Sequence, residues 1–166
     1  MNFSEPVYRF FFPKLTPVFC IRLVLVALGA YLFFSHIIVP VRLQGASMEP
    51  SYHDGSRHFF WRPAFWWSEP QRGDVVLVRL AGSRVMLLKR IVATSGETVE
   101  FRNGRLFVDG ALQEEPYVRL PCSWNLPVRT VAAGHVYVIG DNRSMPIEQH
   151  DFGQTSHKRL GGRLLW

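Results

Sequence analysis

The chain has 166 residues, 48% of them hydrophobic and 14% aromatic, and its 19 Lys and Arg against 13 Asp and Glu give a formal net charge of +6. That length suits one compact domain with one membrane anchor, and no second soluble domain is expected. The basic balance suits a domain resting on anionic lipid headgroups better than one that binds nucleic acid, because the apolar residues crowd toward the N-terminus as an anchor would.

Residues 1–16 form a short segment in which Arg9 and Lys14 outweigh Glu5. Residues 17–40 read as a single transmembrane helix. No charged residue falls between Leu23 and Val39, and a helix rising about 1.5 Å per residue can cross the hydrocarbon core over this stretch. The apolar run is longer than the core of a cleavable signal, and no clean small-x-small cleavage site precedes a polar start, so an uncleaved signal-anchor is expected. A buried core helix or a removed signal is the alternative. The excess of basic residues before the span places the N-terminus in the cytoplasm, with Arg22 snorkelling to the inner interface. Residues 41–166 then form a domain on the outer face of the membrane.

Short β-branched or aromatic runs bounded by Gly, Pro, Asn and Asp dominate that domain. They fall at 75–79, 85–92, 98–102, 105–108 and 136–139. Asn103-Gly104 predicts a type I′ hairpin turn, and Asp109-Gly110 a second turn. The expected fold is mostly β: an N-terminal transmembrane helix followed by an antiparallel β-sheet domain, either a folded-over sheet or a partly open barrel. Residues 58–67 carry six aromatic rings besides His58 in a stretch too irregular for a clean strand. They either dip into the lipid interface or close one end of the β domain as a hydrophobic cluster. Cys20 lies in the span and Cys122 in the domain, so no disulfide joins them under this topology; Cys122 reads as a packing residue.

Three elements carry chemistry. Residues 44–50 read Gln-Gly-Ala-Ser-Met-Glu-Pro; Gly45 admits unusual backbone angles and Pro50 keeps Glu49 from helical ones, so Ser47 should sit on a tight, accessible turn. Residues 84–92 read Arg-Val-Met-Leu-Leu-Lys-Arg-Ile-Val, and the period of two puts Lys89 on one face with Val85, Leu87 and Ile91. Burial there would lower the lysine pKa from about 10.4 toward about 7–8, where a neutral amine can take a serine proton. The competing reading has Lys89 and Arg90 flanking an edge strand with Lys89 reaching solvent. Serine is a weak nucleophile without an adjacent base, and a desolvated lysine can serve, with the Ser47 backbone N–H as the first oxyanion donor. The third element, Val-Tyr-Val-Ile-Gly-Asp-Asn-Arg at 136–143, is a strand entering a Gly turn on which Asp141 and Arg143 can pair and fix the surrounding loops.

In this order behind an anchor, these segments closely resemble the bacterial type I signal peptidases, the serine–lysine peptidases. The likeness also takes in Arg-Gly-Asp-Val-Val at 72–76, Gly96-Glu97 and a terminal strand at 162–166. The resemblance implies an endopeptidase that removes signal peptides from exported preproteins after small residues in an Ala-x-Ala-like pattern, on the outer face of the bacterial cytoplasmic membrane. Ser47 would attack and Lys89 deprotonate it, with Gly45, Asp141, Arg143 and Ser144 supporting the site. It implies exported preproteins and membrane lipids as partners, no nucleic acid, no cofactor, no metal, and a monomer. Where the family commonly has Ser, Asp and Arg after the Gly-Asp-Asn-Arg motif, this chain has Pro146, Glu148 and His150. Ser144 is the nearest hydroxyl to replace that Ser, and Glu148 the nearest acid. Gly45 stands where some members carry a further hydroxyl. Two other readings are a specialised relative that matures conjugation pilins with the same dyad, and a non-enzymatic membrane-anchored β module. The histidines lack metal-ligand spacing, and neither a hydrolase nucleophile elbow nor a phosphate-cradling glycine loop is present.

Overall fold

The computed structural model describes residues 15–79, 86–150 and 152–165. Arg9, Lys14 and Glu5 of the expected cytoplasmic segment lie outside the described residues, as do Val85 and Trp166. Helix α1 runs Pro17–His36. It begins where Thr16 leaves helical angles and its Oγ1 accepts from the Phe19 amide at 3.2 Å, with Pro17 in the first turn, where its missing N–H is no loss. Its 20 residues extend about 30 Å. Its apolar side chains are exposed, Val24 by 64% and Val26 by 70%. The helix is long and apolar enough to cross a membrane.

The expected span of 17–40 runs past the end of this helix. Pro40 has no N–H to continue the ladder, and Val39 before it is held extended, so Ile38–Arg42 becomes strand β1 instead. As an edge strand β1 tolerates its proline.

Ten more strands follow: β2 Arg57–Trp61, β3 Val75–Arg79, β4 Met86–Ala93, β5 Thr98–Arg102, β6 Arg105–Val108, β7 Ala111–Leu112, β8 Leu126–Thr130, β9 His135–Ile139, β10 Gly153–Ser156 and β11 Leu160–Leu164. They pair antiparallel into a seven-stranded sheet, β1-β2-β11-β3-β4-β9-β10, and a four-stranded sheet, β7-β6-β5-β8. Both sheets are open, and neither closes into a barrel. The sequence anticipates β3, β5 and β6 at their observed bounds and β4 and β9 to within a residue or so. The terminal strand lies two residues earlier than 162–166.

Residues 58–67 correct the expectation of an irregular stretch. Pairing with β1 and β11 supplies a hydrogen-bond ladder for β2, and Phe60 is fully buried; only then does the chain turn into a 3-10 turn at Arg62–Phe65. Both anticipated turns take the left-handed angles that short hairpins need, φ 48° and 76° at Asn103-Gly104 and 50° and 75° at Asp109-Gly110.

Three apolar clusters fill the domain. Phe101, Leu106, Trp124, Tyr137 and Ile139 gather the small sheet against the ends of β4 and β9. Met48, Phe60, Val75, Leu77 and Leu88 form a second cluster. Val76, Val78, Ile91, Val136 and Val138 form a third, on the opposite face of β3 and β4.

Candidate active site

Ser47 stands on the turn that follows β1. Gly45 enters it at φ 97°, its amide donating to Asp54 Oδ1 at 2.9 Å; Glu49 N donates to Ala46 O at 3.1 Å, and Tyr52 N to Met48 O at 3.0 Å. The Gly45 N–H is therefore committed to holding the turn. Met48, 2% exposed, drives into the second core cluster, so the residue beside Ser47 is locked by packing while Ser47 stays half-buried. Ser47 lines a cavity of about 350 Å³ with Leu43, Tyr52, Leu77, Met86 and Leu87.

Lys89 is 2% exposed. It pairs with Val76 of β3, and β4 lies inside the sheet between β3 and β9, which removes the edge-strand reading. The period of two holds: Lys89 shares its face with Ile91 of the third cluster, and Leu88 points to the second. Lys89 lines its own cavity of about 240 Å³, with Val78, Leu87, Val138, His150 and Phe152. Leu87 borders both cavities.

The segment leaving β9 ties these parts together. Asn142 N donates to the Ser47 carbonyl at 3.0 Å, and Asn142 Nδ2 donates to the Ala46 carbonyl at 3.0 Å. Ser144 Oγ donates to Asn142 Oδ1 at 2.7 Å, so its described bond steadies Asn142, and with Pro146 and Glu148 it lines a separate cavity of about 450 Å³. A Cβ on Gly140 would overlap the Ser47 carbonyl oxygen and lie 2.7 Å from His150 Cε1; only glycine lets these three segments meet.

Asp141 and Arg143 do not pair through their side chains, contrary to the sequence expectation. Fully buried Asp141 takes a forked pair of bonds from Arg90, Nε at 2.9 Å and Nη2 at 2.7 Å. The reason is register: Arg90 lies opposite Ile139 and so beside the loop that follows it. Arg143 turns the other way, donating to the Gly140 carbonyl at 2.7 Å and forking onto Glu115 at 2.6 and 3.1 Å. Burial alone would lower the Arg90 pKa, but the Asp141 bond and charge outweigh it and raise it, so Arg90 stays a cation.

Glu115 and Tyr117 have no signal in the sequence. Tyr117 donates to Glu115 at 2.9 Å, lies under the Arg90 guanidinium at 3.9 Å, and its carbonyl accepts from Ser51 at 3.4 Å. This strap therefore touches both arginines and the Ser47 turn. Burial, then the Glu115 charge, push the Tyr117 hydroxyl well above its usual range, so it remains a donor.

A family model described as "Signal peptidase, peptidase S26" matches residues 18–165. Signal peptidase I S of Bacillus subtilis is 34% identical over 154 residues, which cover 84% of this chain and 82% of that protein. Thylakoidal processing peptidase 1 of Arabidopsis thaliana is 31% identical over 146 residues, 81% of this chain but 43% of that protein; the chain spans less than half the length of this relative. A crystal structure of a signal peptidase I from Enterococcus faecalis aligns with 25% identity and a TM-score of 0.48, over 58% of this chain and 97% of that one.

Proposed function

Because this chain belongs to the signal peptidase, peptidase S26 family, we propose that it is a membrane-anchored serine endopeptidase that removes N-terminal signal peptides from exported preproteins, cutting after small residues in an Ala-x-Ala-like pattern. Ser47 is the nucleophile and Lys89 the general base. The observation that carries this reading is the burial of Lys89 on an interior strand whose next residue, Arg90, holds the loop that grips Ser47.

Burial favours the uncharged amine, so the Lys89 Nζ lone pair accepts the Ser47 Oγ proton as Oγ attacks the scissile carbonyl. The new C–O bond pushes an electron pair onto the carbonyl oxygen, which the Ser47 backbone N–H stabilises. Collapse expels the mature protein's amine, which takes the proton back from Lys89. Water, deprotonated by the Lys89 amine, then attacks the ester carbonyl; the C–Oγ bond breaks, Ser47 Oγ takes the proton back from Lys89, and the signal peptide leaves with a free carboxylate.

Helix α1 anchors the enzyme with its N-terminus in the cytoplasm, and the domain works at the outer face of the bacterial cytoplasmic membrane as a monomer. Trp61, Trp66 and Trp67 are 41%, 71% and 80% exposed, and Trp61 pairs with Ile38, where the chain enters the domain. Lipid headgroups are the partner that suits such rings.

The test is cleavage of an Ala-x-Ala reporter preprotein by purified full-length chain in detergent. Ser47→Ala and Lys89→Met should each reduce cleavage to background while melting as wild type does, methionine preserving the lysine's volume. Variants that cut as wild type does would refute the assignment.

A further inference from the structure

We propose that His150 is a positioning residue for the reaction, its imidazole bearing the loop that fixes Ser47 while it walls the Lys89 cavity; this rests on the peptidase reading above. His150 ends the 3-10 turn at Ile147–Gln149 and is 5% exposed. Its Nε2 lies 3.2 Å from the Asn142 carbonyl. A carbonyl oxygen only accepts, so Nε2 carries the hydrogen and donates. The same Asn142 donates its amide to the Ser47 carbonyl at 3.0 Å. His150 thus holds one side of a peptide unit whose neighbour holds the nucleophile's backbone.

Aromatic neighbours hold the ring in place. Trp124 meets it edge-on with centroids 5.0 Å apart, and Phe152 lies 6.1 Å away. Gly140 also lies close, since a Cβ there would be 3.0 Å from Nε2. The ring also lines the cavity that contains Lys89. One side chain therefore touches both halves of the site. A shift of about 1 Å in a reacting group can slow chemistry about 100-fold, and losing the bond from His150 to Asn142 frees Ser47 to move on that scale. The bond acts on the position of the reacting group, so its loss is expected in kcat rather than in KM.

The experiment measures kcat, KM and melting temperature for wild type, Ser47→Ala, His150→Leu, His150→Phe and His150→Gln in full-length chain with the reporter preprotein. The Gln amide nitrogen reaches the position of imidazole Nε2 and keeps a donor; Leu and Phe fill space without one. The expected result is a kcat about 100-fold lower in the Leu and Phe variants, KM within about twofold, and a kcat within about fivefold of wild type for Gln. Unchanged kcat in Leu and Phe overturns the proposal. So does a Gln variant as slow as Leu, or a loss of rate that only follows a loss of fold across all three. Wild type that does not cut, or cuts without Ser47, overturns this inference together with the peptidase reading; Ser47-dependent cleavage indifferent to His150 overturns this inference alone.

Discussion

Arg90 and Asp141 meet through two parallel hydrogen bonds, 2.9 and 2.7 Å long, that join the strand bearing Lys89 to the loop gripping Ser47. The carboxylate is fully buried and the guanidinium side chain 12% exposed. Removing the cation leaves a buried, uncompensated charge. Arg90→Ala should destabilise the domain by about 3 kcal/mol. Arg90→Lys should keep much of that stability but lose the fork, lowering kcat more than it raises KM. Urea unfolding and steady-state cleavage measure the two effects.

Glu115 is the corresponding test for the strap. Arg143 is buried and Glu115 nearly so, so Glu115→Ala should cost about 3–5 kcal/mol, whereas Glu115→Gln keeps an acceptor for one of the two guanidinium bonds and should cost less. If both melt like wild type, the strap does not hold the loop.

Cleavage should gain rate as pH rises. If Lys89 is the base, as proposed, only its neutral amine takes the Ser47 proton, and because burial disfavours an ammonium, kcat/KM should climb through an apparent pKa below the ordinary lysine value of about 10.4. A profile that rises only near pH 10 would contradict a desolvated base.

Cys122 should be sluggish toward alkylation. Burial pushes its thiol up, and the Trp124 backbone bond and the Arg143 charge only partly oppose this. The thiolate is the nucleophile, so at a given pH less of it is present than in a free cysteine. Iodoacetamide labelling of the folded domain at pH 8, followed by mass spectrometry, should run slower than labelling of the urea-unfolded chain. Equal rates would contradict the shift.

Features that depend on near neighbours are legible in the chain alone. The apolar run of α1, the left-handed angles at Asn103-Gly104 and Asp109-Gly110, and the Lys89 face of β4 follow from local sterics and a period of two, which a short window displays. The proposal of Ser47 and Lys89 as a pair also began from local patterning, a Gly/Pro turn and a strand face, taken together with the order of the motifs. The rest came from long-range packing: Asp141 turns to Arg90 and Arg143 to Glu115, residues 57–61 form a regular strand where the sequence looks too irregular for one, and His150 lies against the Lys89 cavity. Those outcomes depend on partners far apart in the chain. Arg90 and Asp141 are 51 residues apart, and Asn142 and Ala46 are 96. A charged side chain leaves no local trace of which distant opposite charge it will meet, because strand order and register, set by burial of the whole sheet, make that choice.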